Sequence, residues 1–238
     1  MKTAIIIGAS SGIGRSLAEI LSRDGYRLGI VARRAEALAQ VRDELPGPCV
    51  IRTVDASQPE LAMPIVREFV EELGDVELFV VCAGTGFENP ALAWELERDT
   101  IALNALGFAA VVNVAATYLE ARGSGHLVGV SSLAALRGNG IAPAYSASKA
   151  FASNYLQGIR YRFKKAHLPV VVTDVRPGFV DTRMAQGEGL FWVASPERAA
   201  QQIARAIRRK KQYVYVTRRW RLIGWLMRVL PDALYARL

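Results

Sequence analysis

Tyr145 and Lys149 stand four residues apart in Tyr145-Ser-Ala-Ser-Lys149, a spacing that places both on one face of a helix, about one turn apart. A phenol titrates near ~10 and is a poor proton carrier at neutral pH unless a cation stands beside it. Lys149 is such a cation. Upstream, the apolar run His126–Val130 ends in Ser131-Ser132, whose hydroxyls could donate to an oxygen gaining negative charge. At the start of the chain lies Gly8-Ala9-Ser10-Ser11-Gly12-Ile13-Gly14. Gly8 permits a tight turn, Gly12 lets backbone approach a pyrophosphate, and Gly14 lets helix and strand pack closely. The helix opening at about Ile13 offers free N–H groups and a positive dipole end to phosphates. A proton-transfer pair behind a nucleotide loop is an apparatus for hydride chemistry.

The elements that must position these groups follow from periodicity. Strand candidates are Ala4–Ile7, Arg27–Ala32, Cys49–Val54, Leu78–Cys82, His126–Val130, Val170–Val175 and Tyr213–Val216, and each of the first six precedes a helical pattern. Near-continuous apolar strands suit a parallel sheet buried on both faces. The expected fold is therefore α/β: a Rossmann-like, doubly wound, seven-stranded parallel sheet with helices on both faces and right-handed crossovers. A length of 238 residues with 51% hydrophobic composition suits one dinucleotide-binding and catalytic domain over 1–217, followed by a tail over 218–238. Neither repeats nor an interdomain linker interrupt it. Cys49 and Cys82 lie in separate apolar runs, as free thiols of a reducing compartment do. With two histidines and two separated cysteines, no metal site is expected. The apolar start is broken by Gly8 and lacks a signal-peptide layout, so a cytoplasmic protein is expected.

The second strand ends Ala32-Arg33-Arg34. NAD-selective dinucleotide folds place an acid at this strand end to hold the ribose 2′-hydroxyl, and here the position holds Ala32. Arginine can instead grip a 2′-phosphate bidentately. NADP(H) is thus the expected cofactor, with Arg33 and Arg34 as its selectors and Arg15 as a further cation; NAD(H) is the alternative. Taken alone, the two arginines also fit a solvated helix start.

These motifs, in order and spacing over residues 1–217, resemble the short-chain dehydrogenase/reductase family in its compact single-domain form. The resemblance implies cofactor contacts from Gly8, Ser10, Ser11, Gly12, Ile13 and Gly14, from Asp55 and Ala56 after the third strand, and from Ala83 and Gly84 after the fourth. It implies further contacts from Tyr145, Lys149, Pro177, Gly178, Val180 and Thr182, the last two toward the nicotinamide carboxamide. The catalytic set it implies is Asn104, Ser132, Tyr145 and Lys149; the thirteen-residue spacing to the Tyr selects Ser132 over Ser131. In those roles Ser132 would bond the carbonyl oxygen, Tyr145 would act as general acid or base, and Lys149 would lower the Tyr145 pKa and hold the nicotinamide ribose. Asn104 would position a water behind Lys149. Two positions depart from the family: Ile7 stands for the usual Thr, and Cys82 for the first Asn of Asn-Ala-Gly. The resemblance also implies a homodimer or homotetramer.

A short lid is expected over Arg183–Ala194, with Met184, Leu190, Phe191 and Trp192 as apolar wall and Gly187 and Gly189 as hinges. Leu133, Ala134, Leu136 and Phe87 add apolar surface, which favours an apolar ketone or alcohol substrate, 3-oxoacyl, steroid-like or otherwise lipid-like. Phe191 and Trp192 equally suit packing of the lid onto the core.

Charge divides the chain unevenly. Residues 205–238 hold ten Lys/Arg against one acid, Asp232, while the rest is near neutral. A helix there would line Trp220, Ile223, Met227, Leu230 and Leu234 along one side, with Leu222 and Trp225 elsewhere and Pro231 ending it. Packing on the domain or on a second subunit is one reading. Peripheral contact with an anionic membrane at its inner face is another, whereas a nucleic-acid partner is not expected. A nucleotide-binding redox sensor or membrane-associated scaffold with vestigial chemistry, resting on Cys82 and this tail, is the alternative function.

Overall fold

Period-two alternation along each strand decides which helices cover which face of the sheet. The computed structural model describes residues 1–182, 184 and 191–235. Seven parallel strands, β1 (Thr3–Ile7), β2 (Arg27–Ala32), β3 (Cys49–Thr53), β4 (Val76–Val81), β5 (Gly125–Val130), β6 (Val170–Pro177) and β7 (Tyr213–Val216), pair in the order β3-β2-β1-β4-β5-β6-β7. The intervening helices are α1 (Gly12–Arg23), α2 (Ala35–Glu44), α3 (Pro59–Leu73), α4 (Trp94–Ile101), α5 (Phe108–Arg122), α6 (Pro143–Lys165) and α7 (Pro196–Arg208). On one face Ile5, Ile7, Phe79 and Val81 meet Phe69 of α3, Val111 of α5 and Leu156 of α6. On the other, Ala4, Ile6, Leu78 and Val80 meet Leu17 of α1, Leu38 of α2 and Ile203 of α7. Strands apolar on both sides are the reason the sequence reads as continuous hydrophobic runs.

The strand order reverses at β1, which pairs with β2 on one side and β4 on the other. Ligands of doubly wound sheets bind at the carboxyl ends of the strands at such a switch point. The observed strand limits differ from expectation in informative ways. β4 stops at Val81 because the N–H groups of Cys82 and Ala83 both donate to the Ile7 carbonyl, at 2.8 and 3.0 Å, turning the chain away from the ladder. β6 continues through Arg176 and Pro177 because β7 pairs with Asp174–Pro177. β3 ends at Thr53, one residue early.

The tail folds back as α8 (Trp220–Val229), then α9 (Asp232–Tyr235), with extended Leu230 and Pro231 between them. Trp220 is 3% exposed and its ring fills the space a side chain on Gly178 would need. Gly224 faces Tyr215, Leu133 and Leu136, where an added Cβ would sit 2.9–3.1 Å from their atoms. Arg137 anchors the far end: it donates to the Met227 carbonyl at 2.7 Å, to the Leu230 carbonyl and to Asp232. Of the expected apolar side, Trp220 is buried and Ile223, Met227 and Leu230 half-buried, whereas Leu234 on α9 is exposed.

Candidate active site

Ser132, Tyr145 and Lys149 meet at the carboxyl end of β5. Ser132 follows the strand directly and begins a 3-10 turn, Leu133–Leu136, accepting from the Ala134 N–H at 3.1 Å and donating to the Pro177 carbonyl at 3.5 Å. Pro143 occupies the first turn of α6, where its missing N–H costs nothing. Tyr145 and Lys149 then lie one turn apart, both facing inward. The Tyr145 ring rests on Gly86, where a Cβ would come within 2.6 Å of it. A Cβ on Gly84 would sit 3.0 Å from Lys149 Nζ and 3.2 Å from Asn104 Oδ1, so the absence of a side chain there lets the two polar groups share one space.

Asn104 sits within a π turn, Ala102–Gly107, that joins α4 to α5. Such turns concentrate at functional sites, and the sequence pattern gave no sign of this one. Its amide donates to the Thr85 carbonyl at 2.6 Å and to Ser148 Oγ at 3.1 Å, and its oxygen accepts from the Thr85 N–H at 2.8 Å. The side chain thereby pins the loop after β4 to α6.

Burial dominates the electrostatics. It pushes the Tyr145 phenol above its ordinary value, with the Ser132 hydroxyl pulling partly back. For Tyr145, burial outweighs any lowering that the Lys149 cation supplies. The ammonium donates to the Val130 carbonyl at 3.2 Å and stands 5.9 Å from the ring centroid. Burial also pushes Lys149 down to about 8, opposed by Cys82 and Asp174.

This shift has a consequence for stability. A lysine whose folded pKa is about 8 against 10.5 unfolded disfavours the folded state wherever it is charged, that is, below about pH 8. The penalty fades as pH rises from 8 to 10.5. Lys149→Met is therefore expected to be more stable than the wild type near neutral pH, by about 1–3 kcal/mol, with the gap closing toward pH 10. Thermal melts of both proteins across this range measure it.

At the nucleotide end, Gly8 has φ +91° and a Cβ there would collide with the Ala83 backbone, while one on Gly14 would collide with the Gly8 carbonyl. Gly12, at φ +54°, comes against the Thr182 methyl group, a Cβ there lying 3.0 Å away. The loop thus forms a cradle closed by Thr182. α1 starts without a side-chain cap or an acid in its first turn, leaving an uncapped positive end for an anion. Arg34 donates to Ser10 and Ser11 hydroxyls at 3.2 and 3.4 Å, spanning this loop. Arg33 projects into solvent with its side chain 76% exposed, 3.8 Å from Asp55. Burial would raise the Asp55 carboxyl, but Ser57 and Arg33 together hold it below its usual range. Ala56 packs under Gly107, Gly178 N–H donates to Val216 at 2.7 Å, and Val180 bridges to Ala194. The last two contacts hold the Pro177–Thr182 segment, whose Thr182 methyl lies against Gly12 of the loop. The residues present fit a dinucleotide.

Ser131 is the serine that does not face the site. It is buried and donates to Asp174. Asp174 also accepts from Ser153 at 2.7 Å and pairs with Arg176 at 2.8 Å, and Arg176 donates to Ser153 and Tyr215. This network was missed, although opposite charges two apart on an apolar strand are a visible sign of a buried pair. Cys82 and Cys49 are free, and burial pushes both thiols up to about 11. His126 bonds Thr173 and burial pushes it down to about 4. Phe179, Phe191, Trp192 and Trp220 form one aromatic cluster, with ring centroids 5.1–5.9 Å apart. Leu190, Gly187 and Gly189 lie outside the described residues.

Known proteins fit this picture. The chain is 38% identical over 188 residues to an uncharacterized oxidoreductase of Myxococcus xanthus, covering 77% of this chain and 74% of that one. An uncharacterized oxidoreductase of Mycobacterium tuberculosis is 28% identical over 98% of this chain and 95% of its own. Among solved structures, an alcohol dehydrogenase from the archaeon Thermococcus sibiricus, complexed with 5-hydroxy-NADP, superposes with a TM-score of 0.76 at 25% identity, covering 90% of this chain and 94% of that one. Residues 2–190, which carry the glycine loop and the Ser132–Tyr145–Lys149 centre alike, match the family described as short chain dehydrogenase, and the chain belongs to that family of oxidoreductases.

Proposed function

We propose that the protein interconverts a carbonyl and a secondary alcohol using NADP(H). The observation that carries this reading is the convergence of Ser132, Tyr145 and Lys149 beside the glycine cradle. Bound there, the nicotinamide supplies or accepts the hydride. In reduction the substrate oxygen gains negative charge, and the Ser132 hydroxyl, held at the strand end, donates a hydrogen bond to it. Tyr145, kept protonated by its burial, delivers the proton. Lys149 holds the nicotinamide ribose and, when charged, steadies the phenolate left behind. Asn104 keeps the loop after β4 against α6, so the space between Gly84 and Lys149 stays open. The exposed rings of Phe87, Phe191 and Trp192 favour an apolar substrate. The alternative of a redox sensor at Cys82 is disfavoured by its thiol, which is pushed up to about 11, far from the thiolate that redox chemistry needs.

The choice of NADP(H) rests on Ala32 at the end of β2, where no acid repels a 2′-phosphate, and on Arg33 and Arg34 beside it. The double variant Arg33→Ala/Arg34→Ala is expected to raise the KM for NADPH roughly ten- to a hundredfold while changing that for NADH little. Initial rates with the two cofactors on a panel of β-ketoacyl thioesters, steroids, quinones and aldehydes test both statements. No turnover of any panel member would sink the proposed reaction, and an equal effect on both cofactors would sink the selectivity.

A further inference from the structure

α8 is apolar on two sides, and among the described residues only one of them is packed against the domain. Trp220 and Gly224 turn inward onto Gly178, Leu133 and Leu136. On the outer side Leu222, Trp225, Leu226 and Val229 follow the helical i, i+3, i+4, i+7 spacing and stand in solvent, Leu222 at 71% and Trp225 at 65% exposure. A contiguous exposed stripe of this kind marks an interaction surface. Arg218, Arg221 and Arg228 flank it, and none forms an ion pair among the described residues. The tail's one acid, Asp232, is taken by Arg137.

We propose that this outer face of α8 docks on an anionic lipid bilayer. Charge decides between occupants. A second copy packed symmetrically on the stripe would set arginine against arginine, with no free acid in the tail to oppose them. An anionic surface meets the same arginines favourably, while Trp and Leu enter the headgroup region. Residues 218–238 hold five arginines against Asp232, which makes the surface around the stripe cationic, while the other five basic residues of 205–238 lie at the end of α7 and before β7. The helix is ten residues long, which suits lying in the interface and is too short to span. Its inner side packs on the turn after Ser132 and on Gly178, so docking sets the mouth of the site against the membrane, where apolar carbonyl compounds partition. The surface is independent of the proposed reaction, because lipid binding is read without turnover.

The test is flotation of the full chain with vesicles of phosphatidylcholine alone and of phosphatidylcholine mixed with phosphatidylglycerol. The wild type is expected to float with the mixed vesicles and to be released by high salt. Trp225→Glu and the pair Arg218→Glu/Arg221→Glu each are expected to weaken binding roughly tenfold or more. All three positions are exposed, and circular dichroism and light scattering verify that the variants keep the fold and the molecular mass. The proposal is overturned if the wild type ignores both vesicle types, if the variants bind as well as the wild type, or if Trp225→Glu instead splits an oligomer that shows no lipid binding.

Discussion

Tyr145→Phe is expected to slow carbonyl reduction by roughly a hundredfold to ten-thousandfold, with NADPH affinity held within a few-fold of the wild type. The substitution removes one oxygen and keeps the ring that packs on Gly86. The cradle built by Gly8, Gly12 and Gly14 packs on the Ala83 backbone and the Thr182 methyl group, not on that oxygen, and is left intact. The pH dependence carries a sign. Burial raises the Tyr145 phenol, so the proton donor is fully protonated throughout the neutral range and reduction is flat there. Oxidation needs the phenolate and rises as pH increases. Lys149, pushed down to about 8, loses its charge within the same alkaline range, which removes the cation that stabilises the phenolate and flattens that rise. Steady-state rates in both directions from about pH 6 to pH 10, with cofactor affinity measured by fluorescence, test this. A Tyr145→Phe variant that reduces at the wild-type rate would end the assignment of Tyr145 as acid.

What could be read in advance, and what could not, follows from the range of the interactions. The sheet was legible because strands buried on both faces leave an unambiguous apolar signature, and Tyr213–Val216 fell on the observed residues of β7. The glycine loop was legible because Gly8 and Gly12 need backbone angles that side chains resist. The π turn around Asn104 was not, since it is a local change of hydrogen-bond register inside an otherwise regular helix of continuous amphipathic pattern. The tail was legible as a helix but not as to which side it buries: both sides are apolar, and only the fit of Trp220 onto Gly178 decides. The net direction of the shift at Tyr145 was not legible, because spacing supplies the neighbouring cation whereas the depth of burial, which outweighs it, is a tertiary quantity.

The second large effect concerns the buried network behind the site. Asp174→Ala is expected to destabilise the protein by about 3–5 kcal/mol, because it leaves the Arg176 guanidinium buried without its carboxylate. Asp174 is 0% exposed and answers Ser131, Ser153 and Arg176 together, so no water replaces it without disrupting β6. In a chain of this size such a loss lowers the melting temperature by roughly ten degrees. Asp174→Asn keeps the shape and part of the hydrogen bonding and is expected to cost less. The double variant Asp174→Val/Arg176→Leu removes both charges at once and is expected to recover most of the loss, since a buried pair is worth little against well-packed apolar side chains. The network also reaches the site, because Asp174 is one of the groups that oppose the downward shift of Lys149. Removing its charge lowers the Lys149 pKa further, so the alkaline limb of the rate profile moves to lower pH in Asp174→Asn. A purely structural role would leave that limb in place. Melting curves of the three variants and the pH profile of Asp174→Asn separate these outcomes: a double variant no more stable than Asp174→Ala would show that the loss arises from the surrounding serines and tyrosine, not from an uncompensated charge.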